Sequence, residues 1–121
     1  MTKPNDPREL AVALISRSIC TVQVAAVLAD SNGIFSWGWN SAGSGFGEHA
    51  EAMCMRRANK KRVPGATLYV AAVRRKSGNT ILAKPCVECQ PLAARCARVV
   101  YRDTGGRWIE GNEMENGSSR A

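Results

Sequence analysis

The chain has 121 residues, of which 45% are hydrophobic and 22% charged, which is enough for one compact domain and too little for two. No stretch of apolar residues approaches the length of a membrane span, which is about 18 residues. No apolar segment follows a basic one near the start, so we expect a cytoplasmic protein without a signal peptide. The five cysteines are odd in number and irregularly spaced, which argues against a disulfide framework and for free thiols or metal ligands.

The net charge of +7 is concentrated in the middle of the chain. Residues 56–107 carry thirteen basic and two acidic groups, whereas the segments before and after them each have a net charge of −2. Such a block is often only a solvated face. It also indicates an anionic partner, above all a phosphate backbone.

Helices alternate with strands along the sequence. The predicted elements, in chain order, are a helix over 7–18, strands over 19–29 and 34–40 joined by a turn, a glycine- and serine-rich loop over 41–47, a helix over 48–62, strands over 66–76 and 80–83 joined by a turn, a helix over 86–97, a strand over 98–102, and an edge strand over 107–110. This order predicts the α/β class, with a mixed five-stranded sheet between two helical layers in a domain over 1–110. The polar tail 111–121 is expected to be disordered.

Two short motifs bring together residues that suit zinc chemistry. His49-Ala50-Glu51 contains the single histidine, and Cys86 and Cys89 follow Pro85 with a spacing of three. One imidazole and two thiolates make a three-ligand tetrahedral zinc site whose fourth position is left for water, as in catalytic sites. At the start of the predicted helix over 86–97, the positive helix end favours both thiolates.

Other roles for the cysteines remain open at this point. A closed structural zinc site would need a fourth ligand, and of the three remaining cysteines the spacing leaves only Cys20 available. A redox pair at Cys86 and Cys89 would give His49 and Glu51 no role.

Glu51 is the candidate catalytic residue. A glutamate in the first turn of a helix is often there only because it favours the helix dipole. Its position two residues after the candidate ligand His49 suggests proton transfer to and from a zinc-bound water. Positions two apart do not share a helix face, so this role requires the zinc to lie over the helix end.

The two motifs together resemble the H-x-E and P-C-x-x-C signature of the zinc-dependent cytidine deaminase superfamily. Residues 38–40, 66–70 and 98–101 are also similar to segments of bacterial tRNA adenosine deaminases and deoxycytidylate deaminases, and the resemblance covers about residues 10–105. It implies a cytidine deaminase-like fold and a zinc cofactor. The implied roles are zinc ligation by His49, Cys86 and Cys89, proton transfer by Glu51, and substrate contact by Asn40, Ala50, Trp39 and Pro85.

Two of these implied substrate contacts have an ordinary structural alternative. Asn40 is also in a position to cap a strand end, and Trp39 to be part of the core. The resemblance further allows a homo-oligomer, since many relatives form dimers or tetramers.

The chain departs from these relatives in an inserted basic hairpin over 71–84. The insertion adds Arg74, Arg75, Lys76 and Lys84 shortly before the cysteine motif, where they could follow a phosphate backbone. The alternative is a solvated hairpin with charged flanks.

The sequence therefore favours a zinc deaminase that converts cytosine to uracil in a polynucleotide, DNA rather than RNA. The rival hypotheses are deamination of free deoxycytidine or deoxycytidylate, deamination of adenosine in RNA, and a nucleic-acid-binding module without turnover. Glu51 argues against the last of these, because a structural zinc module does not need that carboxylate.

Overall fold

The computed structural model describes residues 6–42 and 47–111. Its helices and strands, in chain order, are α1 (Pro7–Leu14), β1 (Val22–Asp30), β2 (Gly33–Trp39), β3 (Ser41–Ala42), β4 (Gly47–Glu48), α2 (Ala50–Arg57), β5 (Thr67–Arg74), β6 (Thr80–Ile81), α3 (Gln90–Ala93), β7 (Arg98–Arg102) and β8 (Trp108–Glu110). Short 3-10 helices follow α1 at Ile15–Arg17 and precede β5 at Val63–Gly65. Among the described residues, no helix has the length and apolar character that a bilayer crossing requires.

The main sheet has the order β2-β1-β5-β7-β8, and the two-residue strand β6 pairs beside β5. β5 and β7 are parallel, and the other pairs of this sheet are antiparallel. β3 and β4 form a separate two-stranded sheet at the predicted loop, of which residues 43–46 lie outside the described residues. The predicted α/β class with a mixed sheet is confirmed, with β6 as a sixth strand.

Helices cover both faces of the sheet because β1 is apolar on both sides. Ala25 and Val27 pack under α1, whereas the alternate residues Val24, Ala26 and Leu28 pack under α2. Ala93 of α3 is buried on the same side of the sheet as α2. The predicted three layers are therefore present, with the larger core between the sheet and α2.

All three predicted helices are too long. The helix expected over 7–18 ends at Leu14 and continues only as the 3-10 helix Ile15–Arg17. The helix expected over 48–62 ends at Arg57, because Ala58 is extended and the ammonium of Lys60 donates to the carbonyls of Met55, Arg56 and Ala58. The helix expected over 86–97 is reduced to α3. Pro91 is the second residue of α3, a position where proline is tolerated, whereas a helix begun at Cys86 would place it in the interior.

The predicted tail falls almost entirely beyond the described residues, since 112–121 are outside them. Gly111 is the last described residue. It is buried, and its backbone N–H donates to the carbonyl of Val99 at 2.6 Å.

Gly38 allows α2 to approach β2 closely. A Cβ atom added at Gly38 would lie 2.8 Å from the backbone nitrogen of Cys54 and 2.9 Å from the Cβ of Met53. We expect Gly38→Ala to lower the free energy of unfolding by about 1–3 kcal/mol, because α2 has to move away from the sheet. Urea unfolding followed by circular dichroism measures the change.

Gly65→Ala is the matched control, since nothing lies within 4 Å of a Cβ added there. Its free energy of unfolding should stay close to that of the original chain. Equal stability of the two variants would contradict the close packing of α2 on β2.

An ion pair joins the β1–β2 turn to the segment after α2. Arg62 donates to both carboxylate oxygens of Asp30, at 2.7 and 2.8 Å, and lies 4.2 Å from the ring centroid of Phe35. The hydrogen bonds from Arg62 lower the pKa of Asp30 from its ordinary 3.8 to about 2. The carboxylate form therefore stabilises the folded state fully above pH 3.8, and this contribution is lost as the pH falls towards 2.

Asp30→Asn keeps the shape of the side chain and removes its charge. We expect the variant to be less stable than the original chain near neutral pH, and the difference to shrink below about pH 4 as Asp30 becomes protonated. Urea midpoints measured from neutral pH to about pH 2 check this. If the difference in urea midpoint between the two proteins stays constant over that pH range, the ion pair does not contribute to the stability of the folded state.

Candidate active site

The candidate site lies where β1 begins, β2 ends and α2 begins. It contains a cavity of about 170 Å³, lined by Val22, Val24, Asn40, His49, Ala50 and Glu51. Residues from the two ends of the His49-Ala50-Glu51 motif thus face the same space. A cavity of this size is smaller than the roughly 300–1,000 Å³ that encloses a drug-sized ligand.

The three predicted zinc ligands are brought together beside this cavity. The Nδ1 atom of His49 lies 3.2 Å from the sulfur of Cys89 and 3.5 Å from that of Cys86, and the three donor atoms lie within 4.8 Å of one another. Tetrahedral zinc, with Zn–N of about 2.0 Å and Zn–S of about 2.3 Å, places such nitrogen and sulfur atoms about 3.5 Å apart. The donor set and its spacing therefore fit zinc.

The two cysteines precede α3 rather than belonging to its first turn. Cys89 caps α3, and its backbone N–H donates to the carbonyl of Cys86 at 2.9 Å. A turn thus brings the two thiols together, so the expectation that they lie at the start of a helix over 86–97 is corrected. The cluster joins this turn to His49, the residue that caps α2.

The other cysteines lie outside the cluster. No fourth His, Cys, Asp or Glu of the described residues belongs to it. Burial raises the pKa of the Cys54 thiol to about 12 and that of Cys96 to about 11, which disfavours the thiolate forms that metals bind. The Cys20 sulfur lies 3.8 Å from the carbonyl of Asn40. The geometry therefore favours three protein ligands over a closed site with Cys20.

Glu51 is fully buried and lines the cavity as the second residue of α2. His49 is extended rather than helical, with φ −69° and ψ 152°. Because His49 precedes the helix, its side chain does not follow the helical rotation that separates positions two apart. The sequence argument required a metal site over the helix end, and the structure has this arrangement.

Asn40 lies both at the cavity, as its predicted substrate contact requires, and at a strand end, as the structural alternative requires. It lines the cavity, and its side chain also continues the pairing of β2 with β1, accepting from the N–H of Val24 at 2.8 Å and donating to the carbonyl of Val22 at 2.7 Å. The strand-end alternative is therefore present in the structure. Ala50 lines the cavity and is fully buried, and Pro85 is buried beside the cysteine turn.

Trp39 does not line the cavity, and its contact with the substrate stays a prediction. It pairs with Ala25 and packs with the core cluster under α1, on the opposite face of the sheet from the cavity. The guanidinium groups of Arg17 and Arg57 lie over its ring. Strand alternation explains the placement, because the neighbouring Gly38 faces α2.

The inserted hairpin lies at the same end of the sheet as the cavity. Arg74 is the register partner of Val22, which lines the cavity, and Arg75 and Lys76 are exposed at the turn. Lys84 is different and is only 3% exposed. The chain turns inward after β6, where the N–H of Ala83 donates to the carbonyl of Arg102, so the prediction that Lys84 follows a phosphate backbone is wrong.

A mixed sheet between helical layers, with a His-Cys-Cys site beside a buried glutamate, defines a zinc hydrolase of the deaminase type. The model of the cytidine and deoxycytidylate deaminase zinc-binding region matches residues 2–103. The chain belongs to this family, and its enzyme class and zinc cofactor follow from that membership and from the His49, Cys86 and Cys89 cluster.

Comparison with solved structures supports the same fold. The structure is similar to the crystal structure of a cytidine deaminase from Burkholderia pseudomallei, with a TM-score of 0.65 and 20% sequence identity. The match covers 86% of this chain and 87% of that one. No curated protein sequence matches the chain significantly.

Proposed function

We propose that the chain deaminates cytosine to uracil within a polynucleotide, DNA rather than RNA. The observation that carries the proposal is the pairing of Arg74 with Val22, because Val22 lines the cavity and Arg74 begins an exposed basic turn. A backbone bound along Arg74, Arg75 and Lys76 would pass beside the cavity mouth. None of these three residues has an ion-pair partner among the described residues.

The size of the cavity supports a substrate that inserts only its base. A cavity of about 170 Å³ suits insertion of the base, with the sugar and phosphate at the rim. Acting on a base in a duplex would require extruding it from the stack, whereas an unpaired strand presents the base directly.

The reaction adds water to C4 of cytosine, protonates N3 and releases the amino group as ammonia. Zinc held by His49, Cys86 and Cys89 would make water nucleophilic near neutral pH. Glu51 would pass one proton of the attacking water to N3, and would then pass the proton of the new C4 hydroxyl to the amine, which leaves as ammonia as the C4 carbonyl forms. Its burial at the cavity wall keeps the carboxylate close to the base and away from bulk water.

Free deoxycytidine or deoxycytidylate is the second candidate substrate. The description of the matching family names cytidine and deoxycytidylate deaminases. Arg74 alone could bind the single phosphate of a nucleotide. This alternative does not use Arg75 and Lys76.

A substrate panel distinguishes the candidates. The zinc-loaded protein is incubated separately with single-stranded DNA, duplex DNA, RNA, deoxycytidine and deoxycytidylate, and conversion of C to U and of A to I is measured by sequencing and chromatography. We expect C-to-U conversion in DNA that exceeds conversion of the free compounds. Conversion of deoxycytidine or deoxycytidylate alone would refute the proposal, and A-to-I conversion in RNA would replace cytosine by adenine as the substrate.

A further inference from the structure

A second basic surface lies at the β2 edge of the sheet, on the other side of β1 from the inserted hairpin. The guanidinium carbons of Arg17 and Arg57 lie 5.3 and 5.6 Å from the ring centroid of Trp39. We call these three residues the Trp39 cluster. Trp39 immediately precedes Asn40, which lines the cavity, and belongs to β2, whereas the hairpin continues β5. Because β1 lies between β2 and β5, the cluster and the hairpin flank the start of β1 from opposite sides.

The two arginines of the cluster are held in place without being neutralised. Arg57 donates from Nη1 to the carbonyl of Trp37 at 3.1 Å, and both arginines are exposed. Neither has an ion-pair partner among the described residues, whereas the neighbouring Arg56 pairs with Glu48 at 2.9 Å. A guanidinium held against an aromatic ring loses little side-chain freedom when it binds an anion.

The Trp39 cluster and the hairpin are connected by further polar groups. Arg17 lies two residues before Ile19, whose carbonyl accepts from Nη1 of Arg75 at 2.9 Å. Arg75 also lines a surface cavity of about 370 Å³ together with Thr21 and Lys76. Basic side chains therefore extend from Arg57 and Arg17 beside β2, past the start of β1, to the tip of the hairpin.

We propose that the Trp39 cluster binds phosphates of a single nucleic-acid strand on one side of the target nucleotide, while Arg74, Arg75 and Lys76 bind those on the other side. The inference rests on the proposed function, and it identifies the substrate as an internal base of a strand rather than a terminal or free nucleotide. The guanidinium groups already lie against the Trp39 ring, so the cluster offers N–H donors to phosphate instead of a free aromatic face to a base.

Binding measurements test this proposal separately from turnover. In a Glu51→Gln background, fluorescence anisotropy measures the affinity for a labelled single-stranded oligodeoxynucleotide with one central cytosine at several salt concentrations. We expect Arg17→Gln and Arg57→Gln each to weaken binding roughly tenfold, as loss of a charge-assisted hydrogen bond does. Each should also reduce the slope of the logarithm of the binding constant against the logarithm of the salt concentration by about 0.7 in magnitude.

Arg107→Gln is the matched control. It removes the same charge from an exposed arginine in the turn between β7 and β8, at the opposite edge of the sheet. Its affinity and salt dependence should equal those of the Glu51→Gln parent. Thermal melting of all variants shows whether weaker binding reflects unfolding, and Arg17→Gln removes no hydrogen bond that the structure assigns to that side chain.

A turnover measurement complements the binding data. The enzyme with Glu51 intact should have a lower KM for a central cytosine than for a terminal one, and Arg17→Gln should raise the KM for the central cytosine without lowering kcat.

If the oligonucleotide is deaminated but Arg17→Gln and Arg57→Gln bind it like the control, the two-sided surface is refuted and the proposed function stands. If only free compounds are converted, the proposed function is refuted. Equal binding of a poly-glutamate peptide would refute recognition of nucleic acid by this surface.

Discussion

Replacing Glu51 with glutamine is expected to lower kcat by about 100- to 10,000-fold while zinc stays bound and the protein stays folded. Glutamine fits the space of the fully buried glutamate but cannot exchange a proton as a carboxylate does. The three proposed ligands remain unchanged, so the zinc content should equal that of the original chain. Deamination assays, metal analysis and thermal melting together measure the expected result.

Glu48→Gln is the matched control for this prediction. Glu48 lies three residues earlier and pairs with Arg56 on the surface, so the variant removes the same charge without touching the cavity. Its kcat should remain close to the original value. If Glu51→Gln also kept the original rate, a different group would have to transfer the proton.

Removal of zinc is the second prediction with a large expected effect. Chelation, Cys86→Ser or Cys89→Ser should abolish activity and lower the melting temperature by on the order of 10 °C, because the metal binds the folded chain in preference to the unfolded one. The cluster joins the start of α2 to the cysteine turn before α3, so metal loss separates two elements that pack against the same core. Metal analysis and calorimetry check both parts of the prediction.

Cys20→Ser provides the comparison among the cysteines. Cys20 is partly buried and close to the cavity, but it does not belong to the His49, Cys86 and Cys89 group. This variant should retain one zinc per chain and nearly the original melting temperature. Loss of zinc from Cys20→Ser would instead indicate a closed four-ligand site.

Local signals in the sequence were sufficient for most of the sheet. The turn over 30–33 and the strand over 98–102 have the predicted bounds, because turn residues and β-branched runs determine the backbone over a few neighbouring positions. Gly33 has φ +112°, a conformation that other residues rarely adopt. The candidate ligands could be predicted as well, since their identity depends on residue type and spacing.

The helix lengths required information that helical periodicity does not contain. Apolar spacing continues beyond Arg57, but the backbone becomes extended at Ala58. For α3 a signal was present in Pro91, which is tolerated only near the start of a helix. If Pro91 must lie near the start of its helix, the predicted helix begins after Cys86 and Cys89.

The positions of Trp39 and Lys84 depend on tertiary structure, which local sequence patterns do not contain. The resemblance implied that Trp39 contacts the substrate as Asn40 does, yet adjacent strand residues point to opposite faces. The small residues Ser36 and Gly38 beneath α2 were the available indication of which face that is. For Lys84, no local pattern shows that the chain turns into the core after β6.

The hairpin turn over 75–79 is structurally separable from the residues proposed to perform the chemistry. It extends from β5 and β6 and reverses at Gly78, whereas the zinc ligands and Glu51 belong to α2, its cap and the cysteine turn. Changes in its length or charge would therefore leave the cavity walls intact. Natural or laboratory evolution could retarget the enzyme to other substrates by exchanging this turn while its catalytic geometry is inherited unchanged.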